Sequence, residues 1–171
     1  LEYYDPTTNG QSAAKTKFGT TTSFGIGNIG GQVANVMKFP ACLPTEGYIL
    51  HTNAPGNGGG LFINQYTLVM DLYFPSNSTG WRSIFQTNIQ NTDDGEFFLD
   101  SNNGVGISSN YQGNMSANAW HRLAVAVDLT SSTMSKYIDG TLVGTQTLGS
   151  GVNGRWSLFS TTQPPDWLLL F

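Results

Sequence analysis

The stretch AWHRLAVAVDLTSSTMSKYIDGTLVG, residues 119–144, decides the fold. In its first half His121, Leu123, Val125, Val127 and Leu129 alternate with Trp120, Arg122, Ala124, Ala126 and Asp128. That period of two places one set of side chains on each face of a β-strand. A short polar loop follows, and then the pair Asp139-Gly140, flanked by Tyr137 and Ile138 on one side and Leu142 and Val143 on the other. Asp-Gly tolerates the positive φ that a two-residue hairpin turn requires. The stretch therefore predicts three successive antiparallel strands, a meander.

The same signals extend upstream. In QYTLVMDLYF, Tyr66, Leu68, Met70, Leu72 and Phe74 share the face expected to be core, and Thr67, Val69, Asp71 and Tyr73 share the other. WRSIFQT and GEFFLDS read as two strands of a hairpin joined through NIQNTDDG. GVGISSNYQG reads as one further short strand, its glycines marking a bulge or a close backbone approach. APGNGGGLF around Gly58 lacks the lysine and following helix of a phosphate loop and is expected to be a β-connection. No apolar pattern of helical period persists for three turns, so the chain is all-β.

Composition bounds the function. The 171 residues, 39% of them hydrophobic, are enough for one sizeable core, and a single domain over 1–171 is expected. Charged residues make up 11%, against about 25% in an average soluble domain, so polarity rests on neutral Asn, Thr, Ser and backbone groups. That balance suits a secreted or cell-surface β-protein. A net charge of -4 and scattered basic residues, with only Lys15 and Lys17 close together, argue against nucleic acid as a partner. Cys42 is alone in KFPACLP, which excludes an intrachain disulfide and cysteine-based zinc patterns. No apolar run approaches the ~20 residues of a membrane span, and no signal-peptide pattern opens the sequence.

The ordered set of a Trp-His strand, a short loop and a Tyr-Ile-Asp-Gly hairpin, with QYTLVMDLYF and GWRSIFQT before it, resembles the laminin G-like branch of the concanavalin A-like lectin and glucanase superfamily over about Gln65 to Leu170. The resemblance implies an antiparallel two-sheet jelly-roll β-sandwich. It leaves function open, because this fold carries lectins, glucanases, lyases and adhesion modules. Domains of that family continue past the position of DWLLLF with an acidic loop and another strand. The resemblance therefore implies that the last strand or strands lie outside this sequence, or that another chain completes the sheet by strand addition.

The chemistry-bearing residues favour recognition over catalysis. Glycoside hydrolysis usually needs two carboxyl groups about 5–10 Å apart, and the glucanases of the superfamily carry a Glu-x-Asp-x-x-Glu cluster that this chain lacks. Its glutamates are Glu2, Glu46 and Glu96; only Glu96 has a near acidic partner, Asp94, in what reads as a solvated turn. The Arg, Gln-x-His and Tyr-x-Lys motifs of the lyases are missing too, so His51 and His121 read as packed or surface histidines. No Ser-His-Asp order or Gly-x-Ser-x-Gly elbow is evident. A divergent hydrolase or lyase is the weakest reading.

Two kinds of binding remain. NTDDGE, residues 91–96, gathers the hard oxygen donors that calcium takes, and the resemblance implies a rim calcium, with Asp93 and Asp94 as its ligands. Sugar binding in water needs an aromatic ring under the sugar's apolar face and neutral groups for its hydroxyls. Of the candidate rings, Trp120 and Trp156 belong to the fold, Trp156 opening a strand in GRWSLF, and Trp167 adjoins the terminal apolar run. Trp81 after SNSTG and Tyr111 in SSNYQGN stand nearest to loops and are the expected ligand-binding residues. Asn77 and Asn114 lie in N-glycosylation sequons. The sequence thus points to a non-catalytic extracellular module that binds a glycan or a surface protein. A structural domain completed by a strand-adding partner chain is the alternative.

Overall fold

The computed structural model describes residues 2–4, 16–40, 46–89, 94–163 and 167–171. Their strands are β1 (Glu2–Tyr4), β2 (Lys17–Thr20), β3 (Asn35–Lys38), β4 (Gly47–His51), β5 (Gln65–Tyr73), β6 (Arg82–Gln86), β7 (Glu96–Leu99), β8 (Val105–Ile107), β9 (Asn110–Gln112), β10 (Trp120–Asp128), β11 (Thr133–Ile138), β12 (Thr141–Thr147) and β13 (Trp167–Leu170). No helix occurs among the described residues. Cys42 and Asn91–Asp93 lie outside them, as does the side chain of Trp167.

The meander forms as its sequence dictates. Strands β10, β11 and β12 are neighbours, and β5 pairs along the whole free side of β10, giving a four-stranded sheet in the order β12-β11-β10-β5. Asp139 and Gly140 both have positive φ, 52° and 81°, the type I′ geometry whose twist matches that of the flanking strands. Leu123, Val125 and Val127 are buried and lie opposite Met70, Leu68 and Tyr66. The expected core face of QYTLVMDLYF is therefore the observed one.

A seven-stranded antiparallel sheet, β1-β4-β13-β6-β7-β8-β9, covers that face. Ile84, Phe85, Phe97, Leu99, Val105 and Leu168 of this sheet meet Leu72, Leu123, Val125, Val127, Met134 and Ile138 of the other in one core. Two sheets packed face to face over one apolar layer make a β-sandwich. A separate pair, β2-β3, lies outside both sheets, and the segment leading from β2 to β3 is tied to the four-stranded sheet where Trp120 Nε1 donates to the Gly27 carbonyl at 2.6 Å.

Three details depart from the sequence reading. GVGISSNYQG is a hairpin of two strands, β8 and β9, reversing through Ser108 and Ser109, both at positive φ without a glycine or asparagine to announce it. The predicted close approach is nevertheless present: a Cβ on Gly106 would stand 2.0 Å from the Asn110 carbonyl oxygen. Trp156 is buried as expected, but in a turn rather than a strand. The apolar run LLL in β13 is not a sheet edge, being hydrogen-bonded to β4 on one side and β6 on the other. Among the described strands the outer ones are β1 and β9 in one sheet and β12 and β5 in the other.

The neutral polarity of the chain is spent on loops. In the connection before β5, Asn57 Oδ1 accepts from the backbone N–H groups of Asn64 and Gln65 at 2.7 and 2.8 Å. Asn64, fully buried, donates to the Asn57 and Phe62 carbonyls and accepts from Asn153 N–H. Amide side chains that donate and accept satisfy buried backbone without the desolvation cost of a charge.

Candidate functional site

The site grows out of two adjacent phenylalanines. Successive residues of a regular strand point to opposite faces, which separates Phe97 from Phe98, whereas the irregular register of β6 lets Ile84 and Phe85 both reach the core. Phe97 and Leu99 are fully buried between the sheets, which turns Glu96 and Phe98 to the outer face of the seven-stranded sheet. The register then aligns Ser83, Phe98, Gly106 and Tyr111 across β6 to β9.

Trp81, just before β6, completes the cluster. Its ring centroid is 4.9 Å from that of Tyr111 and 6.2 Å from that of Phe98, inclined by 51° and 74°. Trp81 is 64% exposed, although burial of so large a ring is normally favourable. The two expected ligand residues are thus brought together, and the structure adds Phe98, which the sequence reading missed although it stands beside Phe97 in GEFFLDS.

Carboxylates surround this platform. The Tyr111 phenol is pushed up first by burial and then by the charges of Asp100 and Glu96. Asp100 is fixed by its own turn, Oδ1 accepting from the N–H groups of Asn102 at 2.9 Å and Gly104 at 2.8 Å. The Glu96 carboxyl is itself raised, by burial and then by Asp94, while Arg155 opposes the rise. Glu96 also lines a cleft of about 390 Å³ with Ser108, Gln146, Arg155 and Trp156 among its walls.

Of the turn expected to be solvated, Asp94 is buried and Glu96 half-buried. Asp94 is 5% exposed, and the Arg155 guanidinium clamps its backbone carbonyl from Nε at 2.9 Å and Nη2 at 2.6 Å. Asp93 lies outside the described residues. Calcium binds through several carboxylate and carbonyl oxygens at once. Here the Asp94 carbonyl is engaged by a cation already, and among the described residues no three of His, Cys, Asp and Glu are grouped to hold a metal.

A second polar array escaped the sequence reading. His121 Nδ1 lies 2.7 Å from Asp139 Oδ2, and Ser116 Oγ lies 3.1 Å from His121 Nε2. With the ring neutral, the carboxylate fixes the proton on Nδ1, leaving Nε2 to accept from the serine hydroxyl. The order matches a nucleophile, base and orienting acid, yet Asp139 also does local structural work: Oδ1 accepts from Arg122 N–H at 2.8 Å and its own N–H donates to the Arg122 carbonyl at 2.9 Å. It locks the hairpin tip to β10. Asp139 is half-exposed, whereas a Ser-His-Asp triad works with its carboxylate buried and with donors aimed at an oxyanion in a water-excluded site. Asp139→Ala is expected to lower the unfolding free energy by about 1–2 kcal/mol, and Asp139→Asn by less, since Asn tolerates the positive φ. Urea denaturation checks both. A fluorophosphonate reagent is expected to leave Ser116 unmodified, read by intact mass. His51 is exposed at the end of β4.

No curated protein matches this chain. A laminin G-like family model, described as the concanavalin A-like lectin/glucanases superfamily, matches residues 48–163, more than half of the sequence and most of both sheets. The fold, the Trp-His strand and the Asp-Gly hairpin agree with that match, and the chain belongs to the laminin G-like family of the concanavalin A-like lectin/glucanases superfamily.

Proposed function

We propose that the domain is a non-catalytic extracellular recognition module that binds carbohydrate on the outer face of its seven-stranded sheet. The observation that carries this reading is Trp81, a 64% exposed tryptophan grouped with Tyr111 and Phe98. Exposed aromatic rings offer an apolar surface to the C–H face of a sugar, while the rim carboxylates accept from its hydroxyls. Family membership supports recognition of this kind, since the superfamily's description includes lectins.

Trp81→Ala is expected to abolish glycan binding on an array and in calorimetry while moving the unfolding free energy by under about 1 kcal/mol, since an exposed ring contributes little burial. A Trp81→Ala variant that unfolds readily would place the ring in the fold instead. One that binds as the parent does would remove the platform from recognition.

A further inference from the structure

We infer that the free edge of β5 is a self-association surface, where the same strand of a second copy pairs antiparallel about a two-fold axis at Val69. The inference does not depend on the carbohydrate reading. It begins from a contrast among the outer strands. β1 and β9 have three residues each, and β12 joins its sheet through a register shift at Lys136/Tyr137. Short edge strands and bulges keep a sheet from pairing with another chain. β5 has neither device: its nine residues run beside β10 in unbroken register and include no Pro, Lys or Arg.

The middle of that edge is open. The Asn64 and Phe74 carbonyls turn to the β10 side, accepting from Leu129 and Asn118. Backbone groups alternate in direction along a strand, so those of Thr67, Val69 and Asp71 turn away from β10, and among the described residues none of them meets a partner. Asn57 closes the edge only at Gln65, accepting from its N–H and donating to its carbonyl, both at 2.8 Å. Side chains there are short of burial as well. Val69 is 58% exposed, and Leu68 and Met70 are only partly buried on the core face, whereas Val125 and Leu123 opposite them are fully buried.

What selects a second copy is the fit of β5 to itself. Val69 is the middle residue of the strand. A two-fold axis there sets Val69 against Val69, Leu68 against Met70 and Thr67 against Asp71, with two backbone hydrogen bonds for each of the outward-turned pairs. Apolar meets apolar and hydroxyl meets carboxylate. Asp71, the one charged residue of β5, is already held at 2.8 Å by both Nε and Nη2 of Arg122, so the edge brings no unpaired charge into the contact. Moving the axis to Asp71 would set like charges face to face.

An edge pairing is a small interface, so the dimer is expected to be weak: sedimentation velocity of the whole 171-residue chain should show monomer giving way to dimer with a dissociation constant of about 10–100 µM. Val69→Lys sets two ammonium groups together on the axis and is expected to raise that constant at least about tenfold. Its urea denaturation should change little, because Val69 is exposed. Register is read separately. In a Cys42→Ser background, Val69→Cys is expected to give a disulfide-linked dimer on mild oxidation, since opposed residues of a hydrogen-bonded pair stand about 5.5 Å apart. Val152→Cys, exposed elsewhere on the surface, should not. A chain that stays monomeric up to about 1 mM overturns the inference, as does a dimer that Val69→Lys leaves intact. Should Val69→Lys fail to fold, the cysteine variants decide: no crosslink at Val69→Cys, or equal crosslinking at both positions, overturns it.

Discussion

Phe97→Ala is expected to lower the unfolding free energy by about 3–5 kcal/mol, the range for deleting a buried phenylalanine ring. Phe97 is 0% exposed and stacks on Phe85 with centroids 5.3 Å apart and planes inclined by 11°. Phe85 in turn meets the buried Trp156 edge-on at 6.3 Å. Removing the ring leaves a cavity against Phe85 of the paired strand β6, which cannot close around it without disturbing the register. Urea denaturation should show a lower midpoint with an unchanged slope, because the surface exposed on unfolding hardly changes. The neighbouring Phe98→Ala provides the contrast. That ring faces outward, so the same truncation should cost much less stability and act on glycan binding instead. Equal losses of stability for the two variants would contradict the assignment of faces on which the candidate site depends.

The second large effect concerns pH. Lys136 is 0% exposed, standing between Met134 and Ile138 on the core face of β11, and its ammonium donates to the Asn110 carbonyl at 2.7 Å. Burial pulls its pKa down from 10.5 to about 8. Between about pH 8 and 10.5 the folded chain has released this proton and the unfolded chain still holds it. The unfolded state then binds more protons, so stability rises with pH across the window. The penalty of burying the charge is fully present below the window and gone above it. At 1.36 kcal/mol per pKa unit the rise amounts to at most about 3 kcal/mol. Lys136→Met should flatten this rise and match or exceed the parent's stability at pH 7, since an apolar side chain of similar length carries no charge to desolvate. A parent whose unfolding free energy is constant from pH 8 to 10.5 would show that solvent reaches the ammonium.

Lys136 also marks the limit of pattern reading. Alternation places it with Met134 and Ile138, while its charge argues for the opposite face. The conflict is settled by tertiary neighbours: the β8-β9 hairpin brings the Asn110 carbonyl to the ammonium, and Gly106 leaves the space, since a Cβ there would stand 3.1 Å from Lys136 Nζ. Neither group is near Lys136 in sequence. The hairpin itself was half legible, because its glycines announced close packing while the reversal at Ser108-Ser109 carried no turn residue of the usual kind.

The sequence by itself determined the meander, β5 with its core face, and the strands β6 and β7. Alternation and the Asp139-Gly140 turn act between neighbours in the chain, and each is enforced by local sterics and by which side chains avoid water. Only the tertiary structure decided that Trp81, Phe98 and Tyr111 share one patch, that β13 is an interior strand, and that His121 joins Ser116 to Asp139. These juxtapositions depend on strand order and register, which are fixed by the packing of one sheet on the other across many residues of chain. A shift of one residue in the β6-β7 pairing would turn Phe98 from the platform toward the core.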